Sequence, residues 1–379
     1  MSGPLLVDSL EETIGGDLRR HQKAGAKSNS QTLCFYLHKI HQSIISLIHG
    51  FLRSSQHIKL RVPLETSIFG MNHSNGVSTG WIVDNRVRSA SHAGSWYSGD
   101  AGDLNNQLEN WLKQVKKSPG IVKAIISPHA GYSYCGETAA YAFKQITPNK
   151  VKRVFVLGPS HVVFLNGCAL TTCAKYRTPL GDLVVDQKIN AELVATEAFE
   201  PMSVRNEEAE HSIEMQMPFL AKVLGHSNFT IIPVLVGSLS QSKQHQYGKI
   251  FAKYLADPDN FFVISSDFCH WGQRFHYTPH SNHSSKSIHE QISDLDHRGM
   301  TAITSLNPPV FNDYLKETQN TICGRNPISV MLQAAEYFRQ MNNHTAEFKF
   351  LRYSQSNSCR SLSDSSVSYA AGALFIQPK

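Results

Sequence analysis

The stretch FFVISSDFCHWG, Phe261 to Gly272, constrains this chain more than any other. Phe261, Phe262, Val263 and Ile264 form an apolar run without alternation, the pattern of a strand buried on both faces of a mostly parallel sheet. Ser265, Ser266, Asp267, Cys269 and His270 follow at once. A carboxylate, a thiol and an imidazole therefore stand where the strand leaves the core, the edge at which open α/β sheets bind ligands. Two other stretches repeat the layout. Ala124, Ile125 and Ile126 lead through Ser127 and Pro128 to His129, and Val154 to Leu157 lead through Gly158, Pro159 and Ser160 to His161. One such histidine would be as well explained by a turn. Three in the same place favour a site, because parallel neighbouring strands would bring His129, His161, Asp267 and His270 to one rim.

Strand, loop and helix patterns alternate through the rest of the chain, which predicts a single three-layer α/β domain around a mostly parallel or mixed central sheet. Helices are expected from Leu104 to Val115 after an Asp100 or Asp103 cap, from Glu137 to Gln145, from Ile189 to Thr196, from Gln246 to Leu255, from Ile288 to Ile303 and from Val310 to Thr318. The pieces Cys168 to Leu170 and Leu183 to Val185, around Arg177-Thr178-Pro179, read as a hairpin or edge insertion. In EEAEHSIEMQMPFLAKVLG, residues Glu210, His211 and Glu214 fall on adjacent turns of one predicted helix. There Glu210 and Glu214 read as a solvated face, the alternative being that His211 and Glu214 turn to the rim. Cys323 precedes a helix beginning after Pro327, where the helix dipole favours a thiolate, so it is the candidate reactive or ligating cysteine.

Residues 1–83 differ in texture from the rest of the chain. Ser, Gly, His and Asn are frequent, and only Leu37, Ile40, Ile44, Leu47 and Phe51 form an amphipathic pattern. Lys39, His38, His41 and His49 interrupt it, so no membrane insertion is expected. The segment reads either as a loosely ordered extension contributing little to folding or as a docking helix, ahead of a domain at 84–379. Seven cysteines at irregular spacing, without CxxC, indicate free thiols in a reducing compartment. A net charge of +6 with no run of five basic residues does not suggest nucleic-acid binding.

Two imidazoles with a thiolate or carboxylate and open positions can hold a transition metal. HExxH, P-loop, nucleophile-elbow and GxGxxG motifs are absent from the sequence, so common hydrolase, nucleotide and dehydrogenase readings lack support.

From about Arg86 to Ile376 the chain closely resembles the Memo family, mediators of ErbB-receptor-driven cell motility. The resemblance rests on ASHAGSWY, SPHAGYSYCG, FVLGPSH, EHSIEM, SSDFCHWG, TICGR and SSVSYAAGAL, seven blocks in the same order. It implies a fold akin to class III extradiol dioxygenases and a pocket at His129, His161, Asp267, His270 and Cys323. His129, His161 and Cys323 would be the ligands of iron or copper, and Asp267 and His270 proton carriers. Such a metal site is expected to weaken below about pH 6. Trp96, His129, His161, His270 and Cys323 would contact a phosphotyrosine peptide from a receptor. The implied role is a relay from receptor tyrosine kinases to microtubules through cytoskeletal signalling proteins, in the cytoplasm and also the nucleus. The alternative is an iron- or copper-dependent redox enzyme using the same pocket. Family members commonly read GPSHH, CGRHP and EMH, where this chain has Val162, Asn326 and Gln216.

Overall fold

Alternate residues of the apolar runs are buried in different cores. In the computed structural model, which describes residues 85–341 and 344–378, Ala124, Ile126, Phe155, Leu157, Phe262 and Ile264 belong to one core. Ile125, Val154, Val156, Phe261 and Val263 belong to the other. A strand must have helices over both faces to bury both of its side-chain sets, and the outcome is the three layers expected. The reading of residues 1–83 lies outside the described residues.

The strands are β1 (Val87–Arg88), β2 (Ile121–Ser127), β3 (Arg153–Pro159), β4 (Cys168–Leu170), β5 (Lys175–Tyr176), β6 (Leu183–Val184), β7 (Phe199–Pro201), β8 (Thr230–Val236), β9 (Asn260–Ser265), β10 (His270–Trp271), β11 (His344–Gln355) and β12 (Ser366–Pro378). The main sheet runs β10-β12-β2-β9-β3-β8-β4-β7, with β11 also paired to β12. Its centre, β2-β9-β3-β8, is parallel, while β12 and β4 join antiparallel. The sheet is thus mixed around a parallel core, and β9, which carries FFVIS, lies between the two strands that lead to His129 and His161.

One core takes the helices Gln241–Ala256, Ile288–Thr304, Pro308–Thr318 and Arg325–Met341 through residues such as Phe251, Ile303, Phe311 and Phe338. The other takes Ala101–Gln114, Tyr132–Phe143 and Met217–Leu224 through Leu104, Leu108, Phe143 and Phe219. Asp100 caps the first of these by accepting from the Asp103 N–H at 2.9 Å.

Three local expectations are corrected. The helix after His129 begins at Tyr132, five residues earlier than predicted, because Tyr132 and Cys135 are core residues rather than turn residues. A hairpin does form around Arg177-Thr178-Pro179, but Leu183–Val184 pairs in it with Lys175–Tyr176, in a small separate sheet, and not with Cys168–Leu170, which is inserted towards the edge of the main sheet beside β8. The single helix expected through Glu210, His211 and Glu214 is broken. A helix at Val204–Ala209 ends with Glu210 extended, and a 3₁₀ turn at Glu214–Gln216 leads into Met217–Leu224. The break has a donor to match it: the buried Arg88 guanidinium donates to the carbonyls of Glu207 and Glu210 at 2.9 and 2.8 Å, satisfying acceptors at the helix end.

The stacked pair Phe155 and Phe262, 4.7 Å apart at 9°, joins β3 to β9 on one face of the sheet. Phe155 is fully buried, so Phe155→Ala is expected to cost about 3–5 kcal/mol. A urea denaturation midpoint shifted by less than about 1 kcal/mol-equivalent would show that this face repacks freely.

Candidate functional site

Ser127 of β2 pairs with Ser265 of β9, so His129 and Asp267 each stand two residues beyond a paired position. The carboxylate accordingly accepts the His129 backbone N–H at 2.8 Å. Leu157 of β3 pairs with Ile264 on the other side of β9, which brings His161 round to the same rim. The His129 and His161 rings are 5.2 Å apart. Cys323 arrives from another layer, just ahead of the helix Arg325–Met341. It can do so because residue 324 is glycine: a Cβ there would lie 2.3 Å from Ser266 Cβ and 2.5 Å from the Ser265 carbonyl.

The result is a cluster in which ligand atoms of His129, His161 and Cys323 all lie within 4.8 Å of one another. The Cys323 Sγ is 3.1 Å from His129 Nε2. An ion held tetrahedrally at usual bond lengths needs donor separations of about 3.4–3.6 Å, so the three residues fit a metal with small adjustment. Asp267 and His270 are not in that set. Asp267 holds the backbone of the His129 loop, and burial pushes its carboxyl up to about 7 against the pull of the His129 and Ala130 N–H groups. The His270 Nδ1 lies 2.9 Å from the Phe268 carbonyl and 3.2 Å from that of Thr321, so this nitrogen carries the proton and Nε2 keeps its lone pair. Burial lowers His270 to about 4, which makes it neutral at physiological pH.

The residues missed in the sequence are those beneath the pocket. Glu210 and Glu214 are not a solvated face: they are 2% and 1% exposed. Glu210 accepts the backbone N–H groups of His161 at 2.6 Å, Val162 at 3.3 Å, and His211 and Ser212 at 3.0 Å, and it bonds His161 Nδ1 at 3.0 Å. Burial opposes its charge, but the His161 bond prevails and the carboxyl falls to about 2. Conversely, burial opposes charge on His161, whose side chain is 31% exposed, yet Cys323 and Glu210 together raise it to about 10. His161 is thus an imidazolium at the pocket mouth. Glu214 ties Arg88, the His92 backbone and ring, and the Tyr97 hydroxyl. The only signal for these carboxylates in the sequence was the tight Glu210-His211-Glu214 grouping.

Gly158 lets this segment approach β3, since a Cβ would lie 2.6 Å from Ser212 Oγ and 2.7 Å from Ile213 Cγ1. His211 is carried in with it, stacked on His161 at 4.6 Å and 16°. Burial first, then the charge on His161, lowers it to about 3. Trp96 also packs against His211, at 4.5 Å, while remaining 37% exposed, so it forms part of the rim. His161, Glu210 and His211 form a second close group. Its carboxylate is already engaged by backbone amides and the His161 ring, which fits support of His161 better than a second ion. Burial raises the Cys323 thiol although His161 pulls the other way, so the helix-dipole expectation for a thiolate fails in the metal-free protein.

Residues 88–373 match the sequence profile of the Memo-like protein family. The chain is 66% identical over 292 residues to the protein memo-1 homolog of Caenorhabditis elegans, covering 77% of this chain and 83% of that one. It is 56% identical over 291 residues to protein MEMO1 of Xenopus laevis, covering 76% and 97%. Against protein MEMO1 of Homo sapiens it is 54% identical over 298 residues, covering 78% and 100%. A solved structure of an uncharacterized Escherichia coli K12 protein aligns at 15% identity over 65% of this chain and 99% of that one, with a TM-score of 0.41, too distant to bear on the fold.

If Glu210 is what keeps His161 charged, Glu210→Gln should lower the His161 pKa by at least about two units. Titration of the His161 ring by NMR checks this, and a value still near 10 would assign the effect to Cys323 alone.

Proposed function

The chain belongs to the Memo-like protein family, and on that premise we propose that it is a signalling protein whose working part is a metal pocket. His129, His161 and Cys323 would hold one iron or copper ion. The role is the relay implied by the family resemblance, from receptor tyrosine kinases to the microtubule cytoskeleton, carried out in the cytoplasm. Among the described residues no helix is long and apolar enough to cross a membrane.

The observation that carries the metal reading is the preset direction of the ring nitrogens. His129 Nδ1 faces Ser265 Oγ and His161 Nδ1 faces Glu210 Oε1. The Nε2 atoms therefore remain for the cluster, as expected where a ligating histidine gives its other N–H to an outer partner. A bound iron or copper ion would supply one-electron redox and Lewis-acid chemistry. The chain's own residues would do the rest. His161 and Cys323 give up protons on ligation. Asp267, with a pKa of about 7, can hold or release a proton at physiological pH beside His129. His270 offers a neutral acceptor.

A second reading has its own observation. The exposed Trp96 ring beside His211 offers a flat apolar surface at the mouth of a pocket holding one imidazolium, which suits a phosphotyrosine side chain. The two uses would compete for the pocket, since His161 must lose its proton to ligate a metal, whereas Trp96, which cannot ligate one, serves the second reading alone.

Metal titration at several pH values tests the first reading. His161 is held protonated, its pKa raised to about 10, and ligation needs it neutral, so proton competition opposes binding throughout the range below about 10. With the thiol also protonated, about two protons leave per ion, and affinity should rise about a hundredfold per pH unit between pH 6 and 9. The expected window therefore lies well above the pH 6 limit inferred from unperturbed groups. Cys323→Ala should weaken binding at least a hundredfold, and unchanged affinity would remove Cys323 from the site. Trp96→Ala should weaken binding of a phosphotyrosine peptide in calorimetry and spare metal content. If the wild type binds no such peptide, the second reading fails.

A further inference from the structure

Ser265 ends β9 on the far side of His129 from Cys323 and is fully buried. Its hydroxyl makes three contacts. It donates to the Ser212 carbonyl at 2.7 Å, it meets His129 Nδ1 at 2.7 Å, and it meets Gln216 Nε2 at 2.9 Å. A hydroxyl has one proton and two lone pairs. The Ser212 carbonyl can only accept, so the proton goes there, and both other groups must donate. Gln216 can, because its second N–H reaches the Pro128 carbonyl at 3.0 Å. Reversing the Gln216 amide would set its oxygen against that carbonyl, so the orientation is forced even though it leaves Oε1 buried without a partner. His129 must then carry its proton on Nδ1.

From this we infer that Ser265, held by Ser212 and Gln216, is a positioning residue that fixes the tautomer of His129 and so keeps the Nε2 lone pair turned to Cys323. The inference rests on the metal reading for its consequence, but the tautomer itself belongs to the metal-free protein. With the proton on Nε2, the nitrogen 3.1 Å from Cys323 Sγ would be a donor and could not ligate until the proton moved. Ser265 thus acts on the pocket without touching anything bound in it. Gln216 contributes by filling the remaining lone pair, which leaves the serine hydroxyl one arrangement.

The test uses the full chain, metal-free, labelled with 15N-histidine. The wild-type His129 ring should show the Nδ1–H tautomer, and a predominantly Nε2–H ring would overturn the inference whatever the variants do. Ser265→Ala should give a mixture of tautomers in a protein that still unfolds cooperatively. Its Zn(II) affinity, read with that redox-silent ion alone, should fall about 10- to 100-fold. Gln216→Met, which keeps the serine hydroxyl, should retain the Nδ1–H tautomer and lose only a few-fold in affinity. An unchanged tautomer and affinity in Ser265→Ala would also overturn the inference. If the wild type binds no Zn(II), iron or copper ion, the proposed function fails instead, and the tautomer measurement still decides the role of Ser265.

Discussion

The charge on Glu210, buried beneath the pocket, is the constraint on which the rest of the site depends. An isolated carboxylate in that position would take up a proton rather than stay ionised. Four backbone N–H groups and the His161 ring make ionisation favourable, and each places something. The His161 and Val162 amides fix the loop after β3, and the His211 and Ser212 amides fix the segment that crosses beneath it. Arg88 grips that segment through the carbonyls of Glu207 and Glu210, and Gly158 provides the space. One buried charge thus sets the positions of two histidines and the protonation of one.

The same device recurs round the pocket with different partners. His129 gives its Nδ1 proton to a serine, His161 and His92 to carboxylates, and His270 to backbone carbonyls. For three of them burial and the partner together set the charge. Beside an ionised carboxylate His161 is charged, whereas His129 and His270, bonded to neutral acceptors in buried surroundings, are neutral. Imidazoles of similar geometry therefore serve as ligand, proton holder or acceptor according to what stands behind them.

Much of this was legible in the chain. The unalternating runs at Ala124–Ile126, Val154–Leu157 and Phe261–Ile264 indicated doubly buried parallel strands, and their histidines meet because β9 lies between β2 and β3. Cys323 was also found, since thiol, glycine and helix start are local features. Its protonation was misjudged, because burial outweighs the proximity of a helix end. Glu210 and Glu214 were read as solvent-facing, which is the ordinary fate of two acids four apart on a helix. The helix that would have exposed them stops at Ala209, and it stops for an arginine that lies 119 positions from Glu207 in the sequence.

The sequence by itself determined the layers, the strand ends and the residue types offered at the rim, because side-chain alternation and turn chemistry are properties of neighbouring residues. Tertiary structure decided which carboxylates are buried, which ring nitrogen of each histidine carries the proton, and which histidine is charged. For His161 and His129 those outcomes depend on hydrogen-bond partners 49 and 136 positions away along the chain and on a local loss of water. Neither quantity exists until the sheet, the loop after β3 and the segment around Glu210 have packed together.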